Sequence, residues 1–223
     1  MADPTAALRL QAWLSPAFPT GGYAYSHGLE WAVEAGDIHD ENTLFTWTSD
    51  VVRHGAGRTD TILLRRAHRA AANIEALADL VELALATAPS RERRDETIAQ
   101  GNAFAVATRA WANPTLAKLA KKAGDLPYCI AVGALAGSAG IDEDLTAASL
   151  LQAFAANLIS AAVRLVPLGQ TTGLSVLARL EPTIATITIE TASATLDDLG
   201  GFCFRSDIAS MRHETQHTRL FRS

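Results

Sequence analysis

The sequence predicts an all-α, single-domain helical bundle, and three observations carry that prediction. Apolar residues make up 48% of the 223 residues, enough to fill a sizeable core. Aromatics reach only 6% while Ala is abundant, a composition that suits closely packed helices better than sheets stacked on large rings. Apolar positions also recur at helical spacing between capping and breaking residues along most of the chain. No internal repeat, low-complexity linker or like-charged tail divides it, so residues 1–223 read as one domain with a flexible N-terminal segment and a C-terminal tail from about 206 to 223.

In order, an apolar-rich segment from Ala6 to Leu14 stops at Ser15-Pro16. The run to Glu30 holds two prolines that fix φ, a Gly21-Gly22 pair that permits φ > 0, and then a helical pattern from Tyr23 to Ala35 that Gly36 ends. It reads as a rigid elbow feeding a helix. Asp40 caps the next helix, and Ile62, Leu63, Ala67, Ala70, Ile74, Leu77, Val81 and Leu85 predict one long amphipathic helix from Thr59 to Thr87. Pro89-Ser90 opens a helix whose mixed-charge first turns, Arg91 to Glu96, read as a solvated face. Asn113-Pro114 starts another.

Between Pro127 and Ala139, Gly133 and Gly137 lie four apart, which either lets a second helix approach closely or weakens this one. Asp142 caps an apolar helix containing Leu145, Leu150, Leu151, Phe154, Leu158, Ile159 and Val163, and the segment Arg164 to Thr171 marks a corner through Pro167 and Gly169. The β-branched run Thr183 to Thr191 has strand character, yet no partner strand exists elsewhere. A lone strand leaves its backbone groups unpaired, so a helix is expected there.

Composition also excludes. A net charge of −5 with interspersed signs leaves no footprint for nucleic acid. Cys129 and Cys203 form no CxxC pair, which argues against a disulfide framework or structural zinc site and points to the cytosol. No apolar run reaches the roughly 18 to 20 uninterrupted residues of a membrane span, and no export signal opens the chain. The three lysines, Lys118, Lys121 and Lys122, follow no Gly-rich turn, so there is no P-loop, and no Gly-x-Ser-x-Gly elbow exists.

The chemical groups that remain are few. Ser26 and His27, read as helical neighbours, point about 100° apart and form no nucleophile–base pair. On the same reading His27, Glu30 and Glu34 share a helical face that suits a protein contact better than a metal. His213 and His217, four apart on an expected C-terminal helix, are the best metal-ligand pair, though a weak one, since two ligands need a third. The tail from Ser206 either folds on a partner or frays.

Three segments together resemble the urease accessory protein UreF family: Ser15 to Glu30, Arg164 to Thr171, and Asp207-Ile208-Ala209-Ser210-Met211-Arg212-His213-Glu214-Thr215-Gln216. The resemblance spans essentially the whole chain. It implies an all-α dimer without catalytic activity of its own, one that joins UreD (UreH in some systems) and recruits the GTPase UreG to deliver nickel to the urease apoprotein. On that resemblance Pro19, Gly21, Gly22, Tyr23, Ser26, His27, Gly28 and Glu30, then Arg164, Pro167, Leu168, Gly169 and Gln170, then Asp207, Met211, Arg212, His213 and Glu214 are expected partner-binding residues. No stably bound cofactor is expected, nickel being handled by the assembled complex. Competing readings are a nickel metallochaperone using His213 and His217 or His27 and Glu30, and a GTPase activator supplying Arg164 or Arg212.

Overall fold

The computed structural model describes residues 3–223, and among these there are helices and turns but no strand. Helix α1 (Pro4–Trp13) leads to the elbow, and α2 (Leu29–Glu34) and α3 (Glu41–His54) follow it. Next come α4 (Ala56–Arg69), α5 (Ile74–Ala86), α6 (Arg91–Ala107), α7 (Thr115–Ala123) and α8 (Tyr128–Ser138). Helices α9 (Glu143–Leu165), α10 (Gln170–Thr191) and α11 (Phe204–His213) complete the bundle. The expected N-terminal flexible segment begins at residues 1 and 2, outside the described residues, and α1 itself is capped by the Asp3 side chain on Thr5 N.

Two apolar cores lie side by side. The first gathers Trp13 with α4 to α8 around Leu64, Leu77, Phe104, Leu119 and Ile130. The second packs α2, α3, α9 and α10 around Leu29, Leu44, Leu158, Val176 and Leu180. Helix α9 serves both, with Ala147 and Leu150 in one and Leu151, Ala155 and Ala162 in the other. It is long and apolar enough to cross a membrane by length and composition, contrary to the run-length reading, but half of that stretch is buried inside this fold. A core helix satisfies the same test.

The glycines of α8 answer the question their spacing posed. A Cβ on Gly133 would lie 2.3 Å from Leu64 O, and one on Gly137 2.2 Å from His68 O, so α4 and α8 touch backbone to backbone. Every residue from Cys129 to Ala136 is buried. On the far side of α4, the buried Arg65 guanidinium ties α9 and α10 to it, donating to Glu143 at 2.6 Å, Asp144 at 2.7 Å and the Thr188 carbonyl at 2.7 Å.

Two expectations need correction and one holds. The predicted helix from Thr59 to Thr87 is two helices, because Asn73 takes an extended backbone and its side chain caps Ala76 N at 3.1 Å, restarting the chain in a new direction. The helix predicted from Tyr23 is instead a short 3₁₀ turn, Gly22–Ala24, followed by two left-handed residues, His27 at φ 57° and Gly28 at φ 76°. The β-branched run is helical as expected. Its threonines bond back to the preceding turn, Thr186 to the Pro182 carbonyl at 2.8 Å, Thr188 to Ile184 at 2.8 Å and Thr191 to Ile187 at 2.7 Å, so the hydroxyls stay satisfied inside α10.

Candidate functional site

The left-handed pair at His27-Gly28 decides where the elbow's polar groups go. It breaks the face on which His27, Glu30 and Glu34 were expected together: helix α2 starts only at Leu29, and His27 turns to α6 instead. Only glycine serves at 28. Besides its positive φ, an added Cβ would lie 2.4 Å from Ser210 N, so α2 and α11 cross at this point in near backbone contact.

His27 Nε2 lies 2.9 Å from Glu96 Oε1, and Arg93 Nη1 donates to Glu96 Oε2 at 2.6 Å. Arg93 Nη2 reaches toward Asp60 Oδ2 at 3.7 Å. Glu96 is 1% exposed, His27 7% and Arg93 8%, so this is a chain of ionisable groups inside the protein. Burial alone would raise the Glu96 carboxyl, yet Arg93 and His27 outweigh it and hold the group down at about 2. Burial lowers His27, helped by Arg93 and opposed by the neighbouring Glu96 carboxylate. Burial pushes Asp60 up to about 6, because Arg93 offsets only part of the desolvation. The mixed-charge stretch Arg91 to Glu96, read as a solvated face, therefore contributes two buried charges. An Arg/Glu pair three apart was the available signal, but His27 and Asp60, distant in sequence, were needed to interpret it.

A second cluster adjoins the first and fastens the tail. Glu30 accepts from Leu220 N at 2.7 Å and Phe221 N at 2.8 Å, and its Oε2 lies 3.3 Å from His213 Nε2. His213, with no exposed surface, lies on its other side 2.6 Å from Glu92 Oε2, and Glu92 Oε1 accepts from Arg219 Nη1 at 2.8 Å. Ser26 N donates to the Ser223 carbonyl at 2.6 Å, Arg222 N to Ala24 O at 2.8 Å, and Arg164 sits 4.3 Å over the Phe221 ring. The last residues thus lie along the elbow, held largely through their main chain.

The sequence-named residues divide accordingly. Ser26, His27, Gly28, Glu30, Arg164 and His213 come together, and Glu214 accepts from Arg91 N at 3.0 Å nearby. Pro19, Tyr23, Met211 and Arg212 are exposed, Tyr23 by 70%. Gly21 and Gly22 shape the turn into the elbow. Pro167, Leu168, Gly169 and Gln170 form the α9–α10 corner, where Leu168 packs on the second core rather than on the tail. Asp207 is half-buried. Helix α11 ends at His213, which leaves His217 beyond it and exposed, so the four-residue spacing does not set the two rings on one turn. Among the described residues no three His, Cys, Asp or Glu side chains converge as a metal site.

Two cavities flank the buried charges. One, of about 160 Å³, is bordered by Pro16, Thr20 and Tyr23 of the elbow, by Phe154 and Asn157 of α9, and by His27 and Glu96. The other, of about 140 Å³, is bordered by Thr87, Pro89, Gly200, Gly201 and Asp207. They share Asp60, Arg93, Thr97 and Cys129.

Comparison with known proteins now bears on this arrangement. Residues 38–181 match the UreF family. The urease accessory protein UreF of Xanthobacter autotrophicus is 52% identical over 224 residues, covering 99% of this chain and 92% of the relative. That of Methylorubrum populi is 52% identical over 222 residues, 97% and 99% of the two chains, and that of Mesorhizobium japonicum 47% over 218 residues, 98% and 96%. By the family match and by identity over nearly its full length, the chain belongs to the UreF family.

Proposed function

We propose that this chain is a scaffold for urease maturation that acts by binding rather than by catalysis. It joins UreD (UreH in some systems), recruits the GTPase UreG, and holds both against the urease apoprotein as a cytoplasmic homodimer. The names of its curated relatives support the role in urease maturation. One observation carries the scaffold reading: the elbow, Arg164 and the tail, far apart in sequence, lock into one unit, and Tyr23 of the elbow and Met211, Arg212 and Leu220 of the C-terminal part are exposed. Exposed aromatic, Met and Arg side chains on a rigid support are the material of a protein interface.

Nickel in this reading is cargo of the assembled complex and is not stored by the chain. The two cavities that meet at Asp60, Arg93, Thr97 and Cys129 support an internal route for it. Coupling to GTP requires that the UreD-bound chain distinguish the nucleotide states of UreG, since only differential affinity shifts an equilibrium.

Co-purification with UreD and UreG, comparing the full chain with one truncated before Ser206, tests the scaffold. Loss of the complex on truncation is expected, and an intact complex would remove the tail from the interface. Equal affinity for GTP-bound and nucleotide-free UreG in the presence of UreD would end the coupling idea. Nickel titration of the isolated chain and of a His213→Ala/His217→Ala variant separates the scaffold from a metallochaperone, which would bind tightly and lose that binding in the variant.

A further inference from the structure

Three oxygen atoms from three parts of the fold converge on Gly22. An ideal Cβ built on this glycine would lie 3.7 Å from Thr20 Oγ1, 3.9 Å from Asn157 Oδ1 and 3.9 Å from Gln100 Oε1. Thr20 belongs to the elbow, Gln100 to α6 and Asn157 to α9, and with Gly22 they border the elbow cavity. The two amides are oriented by their other ends. Gln100 Nε2 donates to Glu96 Oε1 at 2.8 Å and Asn157 Nδ2 to the Tyr25 carbonyl at 3.3 Å, bonds that only an NH₂ group can make. Among the described residues, neither carbonyl oxygen accepts a hydrogen bond, and Thr20 bonds only through its backbone N–H. The result is a notch over Gly22 that offers three acceptors against a single hydroxyl donor.

We propose that this notch binds a small organic cation through its N–H groups, a guanidinium or an alkylammonium. The cavity of about 160 Å³ has room for far more than one water, which takes only about 10 to 15 Å³ on that measure. Its charges favour a cation over an anion. Arg93 is matched by Glu96 at 2.6 Å, burial lowers His27, and the Asp60 carboxyl on the inner wall, at about 6, is mostly ionised at neutral pH. The notch itself contains no carboxylate, the ligand on which hard divalent metals draw. Tyr23 and Phe154 border the same cavity, and aromatic rings attract organic cations. The inference goes beyond the scaffold reading: a ligand held by Thr20, Gln100 and Asn157 ties the elbow to α6 and α9 and stiffens the segment that carries exposed Tyr23.

The test titrates the full-length, ¹⁵N-labelled chain at constant ionic strength and follows the side-chain amide signals of Gln100 and Asn157 by NMR. Four probes separate the contributions: methylguanidinium and methylammonium, which carry charge and N–H groups; tetramethylammonium, which carries charge alone; and N-methylurea, the neutral isostere of methylguanidinium. Saturable shifts of both amides are expected with methylguanidinium or methylammonium at a Kd of about 10 mM or below. N-methylurea should bind about tenfold more weakly, and tetramethylammonium should leave the amides unmoved.

Gly22→Ala is the sharpest variant, because its methyl meets the three oxygens only at ordinary van der Waals distance and so fills the notch without disturbing the fold. It should weaken binding at least about tenfold, and Thr20→Val, which removes one acceptor at nearly constant shape, about fivefold. Hydrogen exchange at the backbone amides of residues 20–25 should slow in the presence of methylguanidinium in the wild type and not in Gly22→Ala. Equal response to tetramethylammonium, equal binding of N-methylurea, or unchanged affinity in Gly22→Ala each overturns the proposal. So does the lack of a saturable shift with either N–H cation. No partner protein enters the measurement, so failure here leaves the scaffold reading standing, and loss of the UreD complex on truncation leaves the notch standing.

Discussion

The α4–α8 seam and the polar centre around Glu96 share a border, since Cys129 begins the buried run of α8 and also lines the wall that carries Arg93. They are stabilised by opposite means. At the seam the two backbones meet across Gly133 and Gly137, and the buried stretch of α8 contains no ionisable group other than the Cys129 thiol. Its strength is dispersion and excluded water, spread over many small contacts. In the polar centre the same depth is filled by His27, Glu96 and Arg93, each costly to bury alone and acceptable only because the others are present. The first region tolerates little change of volume, the second little change of charge.

Substitutions can break that contrast from either side. The largest effect is expected for Glu96→Ala, which leaves Arg93 buried without its closest partner and should cost about 3 to 5 kcal/mol in urea unfolding. A much smaller loss would mean that water already solvates the centre. Gly133→Val should follow at about 3 kcal/mol, because its Cβ meets backbone rather than a side chain that can swing away. If Gly133→Val is nearly neutral, α4 and α8 are not in contact as described.

Glu30→Gln should cost about 1 to 2 kcal/mol, because an amide accepts the Leu220 and Phe221 N–H groups more weakly than a carboxylate. Faster hydrogen exchange confined to those two amides would locate the loss in the tail, whereas exchange rising throughout α2 and α11 would make Glu30 a core residue instead.

The smallest effect concerns pH. Asp60 is raised from 3.8 to about 6, so the folded chain keeps a proton that the unfolded chain releases, and its contribution to stability declines as pH rises from about 4 to about 6. Asp60→Asn should therefore gain stability relative to wild type across that window. Glu96 slopes the other way: lowered from 4.5 to about 2, it stabilises fully above pH 4.5 and loses that contribution as pH falls toward 2. Equal pH dependence of unfolding in wild type and Asp60→Asn would sink the assignment of a protonated Asp60.

Helix α9 was legible because the information is local: the Asp142 cap and its apolar spacing follow short-range rules, whereas Gly133 and Gly137 left open whether their segment is closely approached or weakened, which only the contact with α4 decided. The split at Asn73 was missed because the apolar period runs on across it, so the cap competed with a pattern that looked unbroken. His27 was placed on a helix because nothing in its own neighbourhood announces a left-handed residue. That conformation follows from Gly28 meeting Ser210, a contact across most of the chain.

By itself, then, the sequence determined that this protein is helical, where most helices start and stop, and which three segments are out of the ordinary. Caps, prolines, glycines and apolar periodicity act over a turn or two, and one chain suffices to read them. Only the tertiary structure decided that the three segments form one unit, that Glu30 holds the last residues while Glu96 holds His27, and that a run of apparent surface charge supplies the Arg93 of the inner wall. A buried charge is stable only beside its partner, and here the partners are brought together by packing rather than by position in the chain.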